Sequence, residues 1–232
     1  MITVANDCTF VIENKTAILA NVPKNIGPDF IIPPFVNKIP VEVLGDKVFQ
    51  NNTKIVNVGI PASVTEIKEG AFANCANLKN IKFYKTPKVS RVCKLNKHAF
   101  VNCTNLQSIH FVERILINGD SVFLNCKNLS DIKGRFNSLL AGTFSGCEKL
   151  EDLTFYGKSF ISTSAFHKCT ALNQVTFFGE LSPKTPPAVV NFLKELKIVC
   201  PYNSAFVDWA YEGVCVETMD DIDAIFFDAF GF

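Results

Sequence analysis

Apolar residues recur along this chain with two nested periods. The short period is two. In the segment Asn80–Phe83, apolar Ile81 and Phe83 alternate with polar Asn80 and Lys82, the pattern of a half-buried strand. The long period is near 23. Five segments align without gaps: AFANCANLKNIKF from Ala71, AFVNCTNLQSIHF from Ala99, VFLNCKNLSDIKG from Val122, TFSGCEKLEDLTF from Thr143 and AFHKCTALNQVTF from Ala165. A sixth, VFQNNTKIVNVGI from Val48, carries Asn52 where the others have Cys. The frame is Phe-x2-Cys-x2-Leu-x2-Ile-x-Phe. Its anchors are Phe49, Phe72, Phe100, Phe123, Phe144 and Phe166, spaced 23, 28, 23, 21 and 22 residues apart. Another apolar position precedes the anchor by five residues: Leu44, Ile67, Leu95, Leu139 and Ile161. The third full copy breaks it, with Asn118 there and Ile117 one residue early. Each repeat therefore predicts a strand after the cysteine and a second short strand, such as VTEI, before the anchor. Between them a tight turn is predicted at Asn74, Asn102, Asn125, Gly146 and Lys168. Asn and Gly tolerate a left-handed backbone there, and Lys168 would be mildly strained.

A period of this length is too short for paired-helix repeats and falls in the leucine-rich range of about 20–29 residues. The predicted fold is a leucine-rich-repeat-like solenoid of about six repeats. It is built of short parallel strands, tight turns and short helical turns, and it is capped at both ends. Equivalent side chains would stack about 4.8 Å apart. Phe72, Phe100, Phe123, Phe144 and Phe166 then form one ladder, and Cys75, Cys103, Cys126, Cys147 and Cys169 form a column beside it. A further ladder would run Ile60, Phe83, Phe111, Phe155 and Phe177. Gly134 interrupts it, which predicts a cavity or a local bend in that repeat.

The pattern I-x3-AF-x2-C-x2-L-x2-I-x-F resembles BspA-type leucine-rich repeats, which occur in bacterial surface proteins and in parasitic protists. The flank TFVIENKTAILANVP through IPVEVLG is similar to that family's N-terminal hairpin segment. LSPKTPPAVVNFLKELKIVCPYNSAFVDWA is similar to its C-terminal one. The resemblance covers roughly residues 8–210 and implies adhesion and host-protein binding. The organisation expected is an N-terminal β cap over 1–43 and the solenoid over 44–180. A C-terminal cap with short helices and a strand follows over 181–219, and an acidic-aromatic tail over 220–232.

Composition sharpens this. The 22 phenylalanines against four tyrosines and one tryptophan are what a repeated internal Phe position would produce. Apolar residues at 48% supply a core and rule out a disordered chain. A formal charge of +1 argues against a general nucleic-acid binder. The longest stretch without Asp, Glu, Lys or Arg is His98–Val112, too short to cross a membrane as a helix. The opening MITVANDCTF has no secretory character. Together with nine cysteines, an odd number, it predicts a cytoplasmic protein with reduced thiols, or surface exposure by an unconventional route. The sequons at Asn14, Asn51, Asn102 and Asn128 are then chance.

No motif for catalysis, metal or cofactor stands out. The cysteine column has no C-x2-C pair and reads as small apolar residues in a narrow core layer. Cys93, in a basic loop, is the expected reactive thiol. His98 lies near Cys103 and His167 near Cys169, yet both histidines fall at turn positions and have no third orienting group. A non-catalytic binding protein without metal or cofactor is expected.

Three features are candidates for binding. Lys79, Lys82, Lys85, Lys88, Arg91, Lys94 and Lys97 fall at every third residue, with no acid between Gly70 and Val112. This run spans the longest repeat and predicts either a solvated loop or a site for a polyanion: sulfated glycan, anionic lipid, RNA or an acidic partner. Two outward files are predicted on the strands: Lys82, His110, Lys133, Thr154 and Thr176, and Tyr84, Val112, Arg135, Tyr156 and Phe178. Aromatics and Arg in an exposed column suit a protein interface. Finally, no Lys or Arg follows Lys197, whereas seven acids lie from Asp208 onward. Without those seven the chain has 15 acids against 23 bases, so residues 1–207 carry +8. The tail DDIDAIFFDAFGF, with four Phe, is expected to cap the last repeat or to mediate self-association.

Overall fold

The computed structural model describes residues 1–5, 7–86, 92–201, 206 and 215–219. The chain opens with β1 (Ile2–Ala5), β2 (Cys8–Glu13) and β3 (Thr16–Asn21), paired antiparallel in sequence order. Short β4 (Asp29–Ile31) and β5 (Phe35–Val36) lead into β6 (Ile39–Leu44), which runs parallel to β3. From there the chain winds as a β-solenoid of about eight turns. Each coil offers one strand to a front file and one to a side file. The front strands are β7 (Asn57–Pro61), β9 (Asn80–Tyr84), the first half of β11 (Ser108–Ile117), and the first halves of β12 (Asp131–Leu139) and β13 (Asp152–Ile161). They continue through β14 (Gln174–Phe178), β15 (Lys197–Pro201) and β16 (Val216–Met219). The side strands are β8 (Glu66–Ile67), β10 (Val92–Leu95) and the second halves of β11, β12 and β13. Neighbouring coils pair parallel throughout, with Ile81 opposite both Val58 and Ile109.

The turn between side and front strands holds the anchor phenylalanine. Backbone hydrogen bonds stack these turns as well: Phe72 N–H donates to Ala99 O at 2.8 Å, and Phe100 N–H to Val122 O at 2.9 Å. Spacing between anchor rings follows from this. Phe49, Phe72, Phe100, Phe123 and Phe144 are stacked at 4.7, 5.1, 5.1 and 5.2 Å, with planes within 8°. The step to Phe166 widens to 6.5 Å. Phe30 closes the ladder edge-on against Phe49, and Phe192 tilts onto Phe166 at the other end. Phe192 belongs to α1 (Pro187–Lys194), which starts with Pro at its first position and buries Val189 and Leu193.

Beside this ladder, each column thiol donates to the carbonyl of the preceding coil's anchor. Cys75 reaches Phe49 O at 3.0 Å, Cys103 Phe72 O at 3.0 Å, Cys126 Phe100 O at 3.1 Å, Cys147 Phe123 O at 3.2 Å and Cys169 Phe144 O at 3.0 Å. Cys is therefore the side chain that both fits a narrow layer and satisfies a buried carbonyl. In the first coil Asn52 takes the other role, its Oδ1 accepting from the backbone of Lys54 and Ile55.

The turn residue before each Cys is left-handed, as is Asn51 before Asn52: Asn51, Asn74, Asn102 and Asn125 have φ of 62°, 59°, 58° and 60°, Gly146 has 77° and Lys168 has 61°. The asparagines form a ladder of their own. Asn74 Nδ2 donates to Asn51 Oδ1 at 2.8 Å, Asn102 to Asn74 at 2.9 Å and Asn125 to Asn102 at 3.0 Å.

Gly134 leaves no void. A Cβ there would lie 2.2 Å from Ile115 Cδ1, so the Ile115 side chain occupies that space. Phe136, two residues on, is buried and stands opposite both Ile115 and Phe155. The outcome is a bend rather than a cavity: the β11–β12 register slips between His110 and Arg114, and the β12–β13 register between Phe136 and Ser138. Phe206 closes the second ladder by stacking on Phe177 at 4.4 Å.

Candidate functional site

The front strands present alternate side chains outward because their partners at every second position fill the core. In the first outward file Lys82 stands opposite His110, and His110 opposite Lys133. His110 Nε2 pairs with Asp131 Oδ2 at 2.5 Å, and Lys133 lies 4.0 Å from the same carboxylate. Burial and the charges of Glu151 and Asp131 push the Asp152 carboxyl up, against the pull of Lys133. Thr154 and Thr176 continue opposite one another on β13 and β14.

The second file divides. Tyr84 is half-buried, and its hydroxyl donates to the Ile32 carbonyl, tying β9 to the N-terminal segment. It acts as a clamp in this position. The bulge alters the middle: Arg114 stands opposite Arg135 where the sequence pattern had placed Val112. From there the file is continuous. The Arg135 guanidinium sits 5.4 Å from the centre of the Tyr156 ring, and Tyr156 stacks on Phe178 at 4.9 Å and 14°. Burial raises the Tyr156 hydroxyl pKa, and Arg135 opposes that shift. Immediately beyond, the chain turns at Gly157 with φ 69°, and Gly179 packs against it so closely that a Cβ would lie 2.3 Å from Gly157 O. This pair of glycines sets the two rings at the corner between front and side files.

The basic run does not form one stripe among the described residues. Lys79, Lys82 and Lys85 are exposed on or beside front strand β9. Lys94 and Lys97 are exposed on side strand β10 and the turn after it, with Lys94 opposite Glu66. Lys88 and Arg91 lie outside the described residues, as does the tail from Asp220 to Phe232. Cys93 is corrected by its surroundings. It is 6% exposed, and burial, with a contribution from Glu66, pushes its thiol up to about 12. Alternation on β10 turns Cys93 inward while Val92 and Lys94 face out, so a basic neighbourhood in sequence does not reach it. All nine cysteines are free, and Cys215 is exposed. Burial pushes the thiols of Cys103, Cys126 and Cys147 up, against hydrogen bonds from neighbouring column cysteines that pull Cys126 and Cys147 down. His98 occupies a left-handed turn at φ 58°, and the Cys103 thiol is already committed to Phe72 O.

A groove of about 410 Å³ lies at the C-terminal end between the last anchor turn and α1, lined by Phe166, Ala188, Val189, Phe192 and His167. Among the described residues no group of three or more His, Cys, Asp or Glu could hold a metal ion, and no helix is long and apolar enough to cross a membrane.

The sequence profile described as BspA type Leucine rich repeat region matches six copies over residues 42–173. Among solved structures, a leucine rich cell surface protein from Faecalibacterium prausnitzii is 25% identical with a TM-score of 0.59. That match covers 78% of this chain and 55% of the bacterial one, so the chain spans about half the length of that relative. The leucine rich repeat protein of T. pallidum is 20% identical with a TM-score of 0.58, covering 88% of this chain and 99% of its own, and shares the fold. A leucine-rich repeat protein from Eubacterium ventriosum gives 23% identity and a TM-score of 0.56, over 80% of this chain and 51% of that one. No curated protein matches the sequence.

Proposed function

Since the chain belongs to the BspA-type leucine-rich repeat family, a scaffold family that typically mediates protein interaction, we propose that it is a non-catalytic binding protein. Its partner-facing strip is Arg114, Arg135, Tyr156 and Phe178. The observation that carries this is the contact chain itself: two arginines in register, a cation over Tyr156 and a stacked ring beyond it. Such a strip offers rigid aromatic area and bidentate donors at little conformational cost, which is what interface hot spots use. The first file, Lys82, His110 and Lys133, forms its charged rim.

The partner is a protein, and adhesion or host-protein binding is the role carried from the family. The test uses the full chain and its Arg135→Glu/Phe178→Ala variant as paired baits in extract from the source cell. A partner retained by the first and lost by the second supports the strip; equal retention overturns it. An alternative reading takes the exposed Lys79, Lys82 and Lys85 with Lys88 and Arg91 as a polyanion site. Binding to heparin or anionic vesicles that collapses between about 0.05 and 0.5 M salt would favour it. A salt-tolerant partner favours the strip. The nine free thiols support a reducing, cytoplasmic setting. Display at a cell surface, as for the F. prausnitzii protein, is the alternative, and labelling of intact cells separates the two.

A further inference from the structure

At the N-terminal end of the front face the outward file loses a side chain. Register places Ile31 of β4, Gly59 of β7 and Lys82 of β9 side by side, and His110 and Lys133 follow. Glycine inside a strand weakens it and often marks a place where something else comes close. Backbone geometry does not call for it here, since Gly59 is not one of the left-handed glycines. Nor does crowding: a Cβ would lie 3.4 Å from Ile31 Cγ1, 3.6 Å from Ile31 Cγ2 and 3.7 Å from Tyr84 Cδ1, ordinary contact distances. A side chain would fit, and its absence leaves open space.

That space is a hollow of about 340 Å³ over β7, at Val58 and Gly59. Its walls differ in chemistry. Toward β4 stands Ile31, an aliphatic side chain left 72% exposed. On one flank the Tyr84 ring reaches across β7, held there by its hydroxyl on the Ile32 carbonyl. On the other flank Asn80 Nδ2 donates to Asn57 Oδ1 at 2.8 Å and Asn57 Nδ2 to Asp29 Oδ1 at 2.6 Å, so these amides serve one another. Toward β9 stands Lys82, exposed and without an ion pair among the described residues. Its register neighbours are Gly59 and His110, neither of them an acid. The nearer carboxylates of the face are taken: Asp29 by Asn57, and Asp131 by His110 with Lys133 at 4.0 Å. The hollow is thus apolar with one uncompensated cation at its edge.

We propose that this hollow is a docking site for an extended segment of a partner protein, which inserts one large apolar side chain over Gly59 and pairs an acidic residue two positions along with Lys82. The site is separate from the Arg114–Phe178 strip and does not rest on it. Spacing suits a segment laid along the file. Alternate side chains of an extended chain are about 6.7 Å apart, and neighbouring strands about 4.8 Å. The difference of about 2 Å is within reach of the flexible lysine stem. Charge sets the sign of the partner: an acid compensates Lys82, whereas a basic segment meets Lys82 and then Lys133 and is repelled. Binding also covers Ile31, the exposed aliphatic wall.

The probe is a displayed library of random heptapeptides, selected on the full chain at about 0.15 M salt. Enriched peptides should carry Leu, Ile, Met or Phe with Asp or Glu two positions along. A labelled synthetic copy is then titrated against variants of the full chain. Gly59→Val fills the hollow and adds a β-branched residue to a strand, so it should weaken binding about tenfold or more while the melting temperature holds or rises. Lys82→Glu should weaken binding about tenfold, and a peptide with Lys in place of its acid should recover on that variant. Ile31→Asp, at an exposed position, repeats the test if Gly59→Val disturbs folding. No enrichment, enrichment of basic peptides, or acidic peptides indifferent to Gly59→Val would each overturn the proposal. Its failure is separable from that of the strip. Peptides lost only on Arg135→Glu/Phe178→Ala occupy the strip, and the hollow alone falls. Peptides lost on Gly59→Val and Lys82→Glu but kept by the strip variant establish the hollow, whatever becomes of the strip.

Discussion

A thiol that donates to the carbonyl of the neighbouring coil's phenylalanine has a definite electrochemical consequence. Its proton is held by burial, so Cys169 is pushed up to about 11; Cys93, buried on β10 outside that column, is likewise pushed up to about 12, from 9.0 for an unburied thiol. As pH rises past about 9, the unfolded chain releases these protons before the folded one does. The stability contributed by these thiols is thus fully present below about pH 9 and is lost as pH climbs through 11 and 12. The urea midpoint should fall between pH 8 and about 10.5, and Cys169→Ala should flatten that fall. In neutral native buffer a thiol reagent should label Cys215 and leave Cys75, Cys103, Cys126, Cys147 and Cys169 untouched. The anchors carry the larger packing term. Phe123 is fully buried between rings at 5.1 and 5.2 Å, so Phe123→Ala should lower unfolding free energy by about 3–5 kcal/mol, measured by chemical denaturation.

At the scale of the element, the turn and the bulge govern what can be altered. Lys168 keeps a left-handed backbone without the ladder hydrogen bonds that join Asn51, Asn74, Asn102 and Asn125. Left-handed geometry costs a non-glycine residue about 1–2 kcal/mol, and glycine returns part of that through its looser unfolded chain. Lys168→Gly should therefore stabilise the protein by up to about 1 kcal/mol, seen as a higher melting temperature. Asn102→Gly should destabilise, because it removes two ladder bonds while keeping the turn, and Asn102→Ala should do so more. The turns were legible in sequence because Asn, Gly and Cys recur at fixed offsets from an anchor. Phe136 and Arg114 were not. A register slip in β11 and β12 shifts which residues face in, and no local pattern announces that slip or the packing of the Ile115 side chain beside Gly134 that accompanies it. Cys93 was misread for a related reason: a basic sequence neighbourhood says nothing of which way a strand residue points. Tyr84 was placed on the right strand, but its hydroxyl contact with Ile32 spans 52 residues and has no local signal.

For the molecule as a whole, charge and stability are carried by different parts. The exposed lysines of the basic run contribute little to the fold. Reversing Lys85, Lys88 and Arg91 to Glu should leave the melting temperature nearly unchanged and abolish any binding to heparin or anionic vesicles. Absence of such binding in the unaltered chain at low salt would dispose of the polyanion reading. The core, by contrast, is a line of rings in which each coil touches only the coils before and after it. Such a body has no single keystone, and its behaviour under load follows from that. Pulled from both ends, it should unspool rather than snap, each coil releasing its own length of thread. Intervals of 21 to 28 residues between anchors correspond to extensions of roughly 70–100 Å per step in an optical trap. The longest, from the 28-residue coil between Phe72 and Phe100, is second from the N-terminal side of the anchor line and fourth from the other. Its place in the force trace would show which end lets go first.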